Sequence, residues 1–440
     1  MNVVVLTLWL GFHTVCRCRR SKDVVPGVAQ ESDRTHMILG NSRSMTPLPA
    51  APAGTWFLLE TLWLLWPTVV TGGEPSWFRE ATSEGAELRS VQDLPVLVVQ
   101  GTPEAIGRQS AALTGNAIGQ LVDVPRMLLS LMNRREEWSQ HVAASRLMWA
   151  RASADHQREL RACADAAGVD PDKLMVLNTV LDIYGGLGCS SLILEPNRSA
   201  TGSPLFGRNL DIFIASVLQP YNLVAVYRPE GKHAFVSIGF TGLLGVTSGM
   251  NDRGLALAVH GVFTAGRGAT PFDPRGVPCT LLYRRVLEEC ATVREAEELL
   301  RRERPTTALS VVLCDRHSGA VVEVAPGGVA SRRSVDGLCV CTNHFRAGRN
   351  LSADVCPRYA FLSRSATEGR YGLDDVAHKL HRVNQGGQTL QTMIFEPGPL
   401  QLHLAMGSCP SSALPMKRLD LPPLMGASRP PPDDGSPTGQ

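Results

Sequence analysis

Residues 188–213 read GCSSLILEPNRSATGSPLFGRNLDIF, and they decide how the rest of the chain is arranged. Cys189 opens a short apolar run, and a turn-rich segment, 195–204, separates it from a second apolar run that ends in Gly-Arg-Asn-Leu-Asp. Two apolar runs joined by Pro, Asn, Gly and Ser predict a pair of antiparallel strands. Such a hairpin would bring Cys189 close to Arg208 and Asp211.

A thiol, a cation and a carboxylate at one strand end are the parts of an activated nucleophile. The cation favours the thiolate or orients its partners, and the carboxylate holds an amine or an imidazole. The alternative is structural: a buried Cys189 on a strand, with Arg208 and Asp211 on the surface. Both interpretations stay open here, because a motif is a pattern of residues and not yet a geometry.

The pairing of G-C-S-S at 188–191 with G-R-N-L-D at 207–211 resembles the cysteine N-terminal-nucleophile hydrolases. Among them it is most similar to the acyl-coenzyme A:6-aminopenicillanic acid acyltransferase family, and more distantly to the choloylglycine hydrolases with penicillin V acylase and to acid ceramidase. The resemblance extends over roughly residues 95–410. It implies an α+β fold, an αββα four-layer sandwich preceded by a helical segment, and the strand-rich part of the chain agrees with two sheets covered by helices.

The same resemblance implies that Cys189 attacks the carbonyl of Gly188 and that the chain is cut between these two residues. The freed α-amine of Cys189 would then act as the base, since its reference pKa is about 7.7–8.0. The glycine-rich stretch before the cysteine suits either a bond that bends for cleavage or a plain linker. In this scheme Arg208 stabilises the thiolate or binds substrate, and Asp211 orients the amine.

Two more residues complete the predicted catalytic group. An apolar strand ends in T-N-H-F, which resembles the family's asparagine motif and implies that Asn343 donates its amide to an oxyanion, an interaction worth about 10²–10³ in rate. Arg358 matches an arginine that follows this motif in acid ceramidase and the choloylglycine hydrolases. The alternatives are a strand-end asparagine that caps a turn and a solvated arginine at the start of a helix.

Four residues are predicted to contact substrate. Asn251 lies in GMNDRGLA, which resembles the family's G-x-N-E-x-G-L motif, although a hairpin turn explains the same residues. His260 and Gly261 end the next strand, where the relatives place a backbone amide of the oxyanion hole. His344 keeps a rival mechanism open, in which it or His260 activates the nucleophile of an uncut chain.

The chain has 440 residues, of which 44% are hydrophobic and 19% charged, so a globular core is expected. Its net charge of +2, without a long basic run, argues against a nucleic-acid partner. The eleven cysteines do not have the spacing of a short disulfide framework. A zinc site on Cys339, Cys341 and His344 lacks a second ligand pair at zinc spacing, so no metal or cofactor is expected.

Residues 1–88 differ from the rest and are predicted to be a signal or anchor segment or a poorly structured extension. Their apolar stretches, 3–12 and 56–70, are short for a membrane span, and basic residues follow the first stretch instead of preceding it. Export, a membrane contact through this segment, and a cytoplasmic chain therefore all stay open. At the other end, residues 409–440 are rich in Pro, Ser, Asp and Gly and are predicted to be a disordered tail.

The remaining boundaries follow from periodicity. A helical pro-segment or α-chain is predicted over 89–188 and a catalytic core over 189–408. In the first of these, Thr102 as N-cap and Pro103 at the first helical position predict the start of a helix. An apolar stripe continues it to Leu128, and a second helix is predicted over 136–167.

These features predict a self-processed cysteine amidohydrolase or N-acyltransferase, made as a zymogen, that acts on the amide bond of a small N-acyl molecule. The sequence leaves open whether acyl-coenzyme A is a donor and whether water or an amine receives the acyl group. Two alternatives remain: an unprocessed Cys–His hydrolase, and a catalytically silent binding protein on the same fold.

Overall fold

The computed structural model of the chain describes residues 77–262, 272–347, 356–364 and 369–426. The apolar stretches at 3–12 and 56–70 lie outside these residues, as does the last part of the predicted tail. No helix within the described ranges is both long and apolar enough to cross a membrane.

The described residues form strands and helices with the following bounds. The strands are β1 (Ala81–Ser83), β2 (Ala86–Val91), β3 (Leu94–Gly101), β4 (Leu187–Leu194), β5 (Leu205–Ile212), β6 (Asn222–Pro229), β7 (Phe235–Phe240), β8 (Ser248–Asn251), β9 (Ala256–Gly261), β10 (Leu309–Cys314), β11 (Gly319–Ala325), β12 (Gly328–Arg333), β13 (Leu338–Cys341), β14 (Thr389–Glu396), β15 (Gln401–Met406) and β16 (Lys417–Asp420). The α-helices are α1 (Pro103–Leu121), α2 (Val124–Leu131), α3 (Trp138–Trp149), α4 (Ala154–Ala167), α5 (Pro171–Tyr184), α6 (Ala215–Leu218), α7 (Cys279–Glu289), α8 (Val293–Arg302), α9 (Pro357–Ser363), α10 (Leu373–Arg382) and α11 (Leu421–Met425).

The strands are arranged in two sheets. Sheet A has the order β1-β2-β3-β6-β7-β8-β9-β10-β11-β12, and sheet B has the order β13-β4-β5-β14-β15-β16. Sheet A is antiparallel except for the parallel pair β3 and β6. The chain leaves sheet A after β3, runs through helices α1 to α5, and forms the β4–β5 hairpin of sheet B before it returns as β6.

Three hydrophobic clusters separate four layers. The first packs α1, α4, α5, α7 and α8 on the outer face of sheet A and includes Ile106 and Leu282. The second lies between the two sheets and includes Val96 and Ile193. The third packs α9 and α10 on the outer face of sheet B, around Leu380. The order is helix, sheet, sheet, helix, which confirms the predicted α+β fold and its αββα sandwich.

The helix starts agree with their capping residues, but two predicted helices are interrupted. Helix α1 begins as expected, with the Thr102 side chain accepting from the backbone N–H of Ala105 at 3.3 Å. It ends at Leu121, and Pro125 lies in the first turn of α2, because a proline fits a helix without cost only in its first turn. The helix predicted over 136–167 is divided into α3 and α4, where Ser153 caps the new start.

The folded core is longer at both ends than the predicted core of residues 189–408. Strands β1 to β3 of the predicted extension and helical segment belong to sheet A, so sheet A starts before the predicted core does. The predicted tail also starts too early, since β16 pairs with β15 and three side chains of α11 are buried between the sheets. The Pro-rich composition did not indicate the apolar side chains that pack here, which are those of Leu419, Leu421, Leu424 and Met425.

A buried ion network joins helix α4 to helix α7. Arg284, 1% exposed, donates to both carboxylate oxygens of Glu159, at 2.7 and 2.6 Å. It also donates to Glu288 at 2.8 Å, and Glu288 is in turn 2.9 Å from the amine of Lys232 and 3.1 Å from His156. Each ion in this part of the interior therefore has a partner of opposite charge, as burial requires.

Replacing Glu159 with alanine should lower the free energy of unfolding by roughly 3–5 kcal/mol, because Arg284 stays buried with one carboxylate fewer. Equilibrium unfolding in urea, followed by circular dichroism, measures this change. The matched control is Glu104→Ala, which removes a half-exposed ion pair with Arg158 and should cost about 1 kcal/mol or less. A loss at Glu159 no larger than the loss at Glu104 would contradict the role given to the network.

Candidate active site

The pleat of the β4–β5 hairpin places Cys189 and Asp211 on opposite faces of sheet B. In the hairpin Cys189 pairs with Leu210, and Gly188 pairs with Asp211. Side chains alternate along a strand, so Cys189 and Arg208 face sheet A while Asp211 faces the helical layer. The Gly188–Cys189 peptide therefore has a thiol on one side and a carboxylate on the other.

The thiol of Cys189 is fully buried between the sheets. Its sulfur donates to the carbonyl oxygen of Val259 and accepts from Nη2 of Arg208, each at 3.4 Å. Arg208 is also fully buried, and its Nη1 donates to the carbonyl of Thr247. Burial raises the pKa of the Cys189 thiol, and the charge of Arg208 lowers it. Arg208 is thus placed to favour the thiolate.

Asn343 binds the chain on both sides of the predicted cleavage site. Its Oδ1 accepts from the backbone N–H of Cys189 at 3.0 Å and from Nη2 of Arg358 at 2.8 Å. Its Nδ2 donates to the carbonyl oxygens of Leu187 and Gly261, both at 2.8 Å. Two donors at one end of the amide and two acceptors at the other assign its orientation. In the uncut chain, both N–H groups of Asn343 are therefore occupied.

Arg358 contacts three members of the predicted group. Its Nη1 donates to the carbonyl oxygen of Cys189 at 2.7 Å and lies 3.6 Å from Oδ2 of Asp211, while Nη2 reaches Asn343. Its side chain is 19% exposed, so it is not a solvated residue at a helix start. The preceding Pro357 begins α9 at a position where a missing N–H has no cost.

Two residues that the sequence did not single out hold the Asp211 carboxylate. The hydroxyl of Thr389 donates to Oδ1 at 2.6 Å, and Nε2 of Gln385 donates to Oδ2 at 2.8 Å. Burial raises the pKa of Asp211, and these two hydrogen bonds, followed by the charges of Arg358 and Arg208, lower it. Neither residue belongs to a recognisable motif, and both are distant from Asp211 in the chain.

His260 and Gly261, at the end of β9, lie against β4 at Ser191 and Leu187. His260 is fully buried, and its Nε2 is 2.8 Å from the hydroxyl oxygen of Ser191. Burial, then the charges of Arg208 and Arg358, lower the pKa of His260 well below its usual value, so the ring is neutral. Gly261 must be glycine, because a Cβ there would lie 2.5 Å from the carbonyl oxygen of Leu187.

The structure does not bring Asn251 to this group. Asn251 lies at the opposite end of the β8–β9 hairpin from Gly261, and its Nδ2 donates to the carbonyls of Leu287 and Cys290, at 2.9 and 2.8 Å. Its Oδ1 accepts two backbone N–H groups of the turn. The amide is fully used in joining the turn to the end of α7, so a substrate-binding role for Asn251 is not supported.

His344 is half-buried and lies beside Cys356. Burial raises the pKa of the Cys356 thiol, but His344, the backbone N–H of Tyr359 and the hydroxyl of Thr342 outweigh it and lower the pKa to about 6. No sequence motif singles out this second thiol. In the described part of the chain, the hydrogen bonds of the Cys189 sulfur go to Arg208 and a carbonyl and not to a histidine ring.

The predicted resemblance to the cysteine N-terminal-nucleophile hydrolases is confirmed by comparison with known proteins. The sequence model of the acyl-coenzyme A:6-aminopenicillanic acid acyl-transferase family matches residues 197–408. This range contains Arg208, Asp211, Asn343 and Arg358 and begins after Cys189. A protein of undescribed function from Archaeoglobus fulgidus is 24% identical over 204 residues, which are 40% of this chain and 34% of that protein. The match thus spans about a third of that relative's length.

Solved structures of three enzymes overlap with part of this chain. The Caenorhabditis elegans N-acylethanolamine-hydrolyzing acid amidase orthologue is 15% identical, with a TM-score of 0.39 and coverage of 48% of this chain and 93% of its own. A mutant of the conjugated bile acid hydrolase from Clostridium perfringens is 16% identical, with a TM-score of 0.37 and coverage of 55% and 95%. Penicillin V acylase from Agrobacterium tumefaciens is 15% identical, with a TM-score of 0.36 and coverage of 53% and 86%. Overlaps of this size do not define an activity.

The low pKa of Cys356 predicts which thiol an alkylating reagent modifies first. Because Cys356 is a thiolate above about pH 6 and burial raises the pKa of Cys341 to about 12, iodoacetamide should label Cys356 faster than Cys341 at pH 7. The labelling rate at Cys356 should rise with pH, pass its midpoint near pH 6 and level off above it. Peptide mass spectrometry measures both rates, with Cys356→Ser as the control. Faster labelling of Cys341, or a midpoint at Cys356 near that of a free thiol, would contradict this assignment.

Proposed function

We propose that this protein is a cysteine N-terminal-nucleophile enzyme, which cleaves its own chain between Gly188 and Cys189 and then cleaves or transfers an acyl group at an amide bond. The observation that carries the proposal is the convergence of Arg208, Asn343 and Arg358 on the sulfur, the backbone nitrogen and the carbonyl oxygen of Cys189. Each is a polar group that is buried or nearly so, and each is placed on a different element.

The first step is an acyl shift from nitrogen to sulfur. The Cys189 sulfur bonds to the carbonyl carbon of Gly188, the carbon–nitrogen bond breaks, and the thiol proton passes to the departing nitrogen. Water then cleaves the thioester, which leaves a carboxylate on Gly188, a free thiol and a free α-amine on Cys189. The turn before this bond uses two glycines with positive φ, Gly185 at 63° and Gly186 at 85°, a conformation that L side chains rarely adopt.

The same groups serve the second activity after the cut. The free α-amine of Cys189, with a reference pKa of about 7.7–8.0, takes the thiol proton near neutral pH. Separation of Leu187 from Cys189 frees one N–H of Asn343 to donate to the oxyanion of a substrate. Asp211 orients the amine and Arg358 keeps Asn343 in position.

The buried location of the site favours a small N-acyl molecule as substrate over a folded protein. An acyl-coenzyme A donor is an option within this proposal, because the matching family model bears that name. Export or membrane contact through the apolar stretches at 3–12 and 56–70 is also proposed, from their composition alone.

Of the two rival functions, neither gains a specific observation. A Cys–His hydrolase requires an imidazole at the sulfur, whereas the Nε2 of His260 is bonded to Ser191 and His344 lies beside Cys356. Buried charges cost stability even when they are paired. A silent binding protein on the same fold has no use for the buried charges at Cys189 that would offset this cost.

Intact-mass measurement with N-terminal sequencing tests the self-cleavage. The wild-type chain should give two fragments, one of which begins Cys189-Ser190-Ser191, while the Cys189→Ala variant stays uncut. The variant is the control for cleavage by contaminating proteases. An uncut wild-type chain that hydrolyses amides would support the Cys–His mechanism instead, and an uncut, inactive wild-type chain would contradict the proposal.

Removing the donors of Asn343 should reduce catalysis without removing the nucleophile. Asn343→Asp keeps the size of the side chain but loses both N–H groups, so kcat on a panel of N-acyl-7-amino-4-methylcoumarins should fall by about 10²–10³-fold. The same change at the exposed turn residue Asn133 is the control and should leave kcat unchanged. A fall of less than about tenfold at Asn343, in a variant that is still cut, would argue against the oxyanion role.

A further inference from the structure

The carboxylate of Asp211 is fully buried, and donors hold it from both sides. Thr389 donates to Oδ1 at 2.6 Å, Gln385 donates to Oδ2 at 2.8 Å, and Arg358 lies at 3.6 Å from Oδ2. Two of these groups are neutral donors, one at the start of β14 and one in the turn before it. The proposed reaction gives them no role in addition to that of the arginine.

A β-bulge at the start of β14 aims Thr389 at Asp211. Thr389 pairs with Asp211, and Gln391 pairs with Leu210, the residue that precedes Asp211. Leu390 is therefore an extra residue between two regular pairs. Bulges of this kind turn a side chain toward a new direction and are frequent beside active sites. The bulge therefore explains how the hydroxyl of Thr389 reaches a carboxylate on the neighbouring strand.

The same turn brings Gln385 against the predicted cleavage site. The backbone N–H of Gln385 donates to the hydroxyl of Thr389 at 2.7 Å, so the two residues support one another. A Cβ on Gly188 would lie 2.7 Å from Nε2 of Gln385 and 3.2 Å from Cβ of Asp211. Gln385 is thus in contact with the residue whose carbonyl the thiol attacks, while it also holds Asp211.

We propose that Gln385 and Thr389 are positioning residues, which hold the Asp211 carboxylate beside the Gly188–Cys189 bond and keep it there for the α-amine that the cut releases. This inference rests on the proposed function for its chemical meaning. Both residues bind the Asp211 carboxylate and act on the reaction through it.

The electrostatic reason is that a buried carboxylate tends to become protonated. Burial raises the pKa of Asp211, and the hydrogen bonds from Thr389 and Gln385 oppose that rise. Among the described residues, the other titratable groups whose charges act on Asp211 are Arg208 on β5, Arg358 on α9, the Cys189 thiol on β4 and the Cys409 thiol after β15. Protonation of the α-amine itself removes the base as pH falls. A protonated Asp211 in addition cannot attract an α-ammonium group, so activity also falls with pH through the pKa of Asp211. Loss of a donor raises that pKa and moves the loss to higher pH.

The test compares Thr389→Val, Thr389→Ser and Gln385→Leu by measuring kcat/KM against pH with the N-acyl aminocoumarin panel. The acid limb should move to higher pH by about one unit in Thr389→Val and Gln385→Leu. Thr389→Ser keeps the hydroxyl and should retain the wild-type limb. Thr392→Val is the matched control on the same strand, because its hydroxyl bonds Asn209 and Ser411 and not Asp211. It should lower stability and leave the limb in place.

A second measurement does not depend on catalysis. In full-length Cys189→Ala protein labelled with ¹³C at aspartate carboxyl carbons, the Asp211 signal, assigned with Asp211→Asn, reports its protonation. Its midpoint should rise in Thr389→Val and stay in place in Thr389→Ser. If the wild-type chain is inactive but the ¹³C midpoint of Asp211 still rises in Thr389→Val, the proposed function is contradicted and the positioning of Asp211 is supported. An active wild-type enzyme whose acid limb and ¹³C midpoint are unchanged in Thr389→Val and Gln385→Leu would overturn the inference.

Discussion

The side chain of Asn343 connects the chain segments that make the site. Through one amide it binds Leu187 and Cys189 on β4, Gly261 at the end of β9 and Arg358 on α9. Those bonds link sheet B, sheet A and the outer helical layer at the predicted cleavage site. Because the amide has two donors and two acceptor positions and all are used, loss of any one partner would leave a buried polar group unsatisfied, which costs stability.

The segments before and after Cys189 share one core. Strand β3 pairs with β6 in parallel, and Glu159 of α4 binds Arg284 of α7 inside the first hydrophobic cluster. A cut after Gly188 would break one covalent bond but none of these contacts. The geometry therefore allows the peptide bond at the site to be strained or cleaved while the surrounding sheets stay assembled, since a sheet is held by pairing along its whole length and not by one connection.

Most residues of the candidate site could be predicted from the sequence because rare residue types form a local pattern there. Cys189, Arg208 and Asp211 lie on the two strands of one hairpin, and the turn signals between the strands are enough to predict that they are neighbours. The alternation of side chains then places Asp211 on the opposite face of the sheet from the other two. From the sequence, Asn251 is either a substrate contact or a turn residue, because an asparagine in a turn serves both uses. Only the positions of Leu287 and Cys290 show that its amide joins the turn to the end of α7. Gln385 and Thr389 could not be found, since a bulge decides where Thr389 points.

By itself the sequence determined the hairpin, the alternation of strands and helices, the helix cap at Thr102, and the residues able to act as nucleophile, cation and carboxylate, because these depend on neighbours in the chain. Only the tertiary structure decided that the thiol faces sheet A while the carboxylate faces the helices, and that the chain after residue 408 adds a strand to sheet B. It also decided how Asn343 is oriented. These features depend on contacts between segments that lie far apart in sequence, and no local preference of the chain specifies which distant group will complete a buried hydrogen bond.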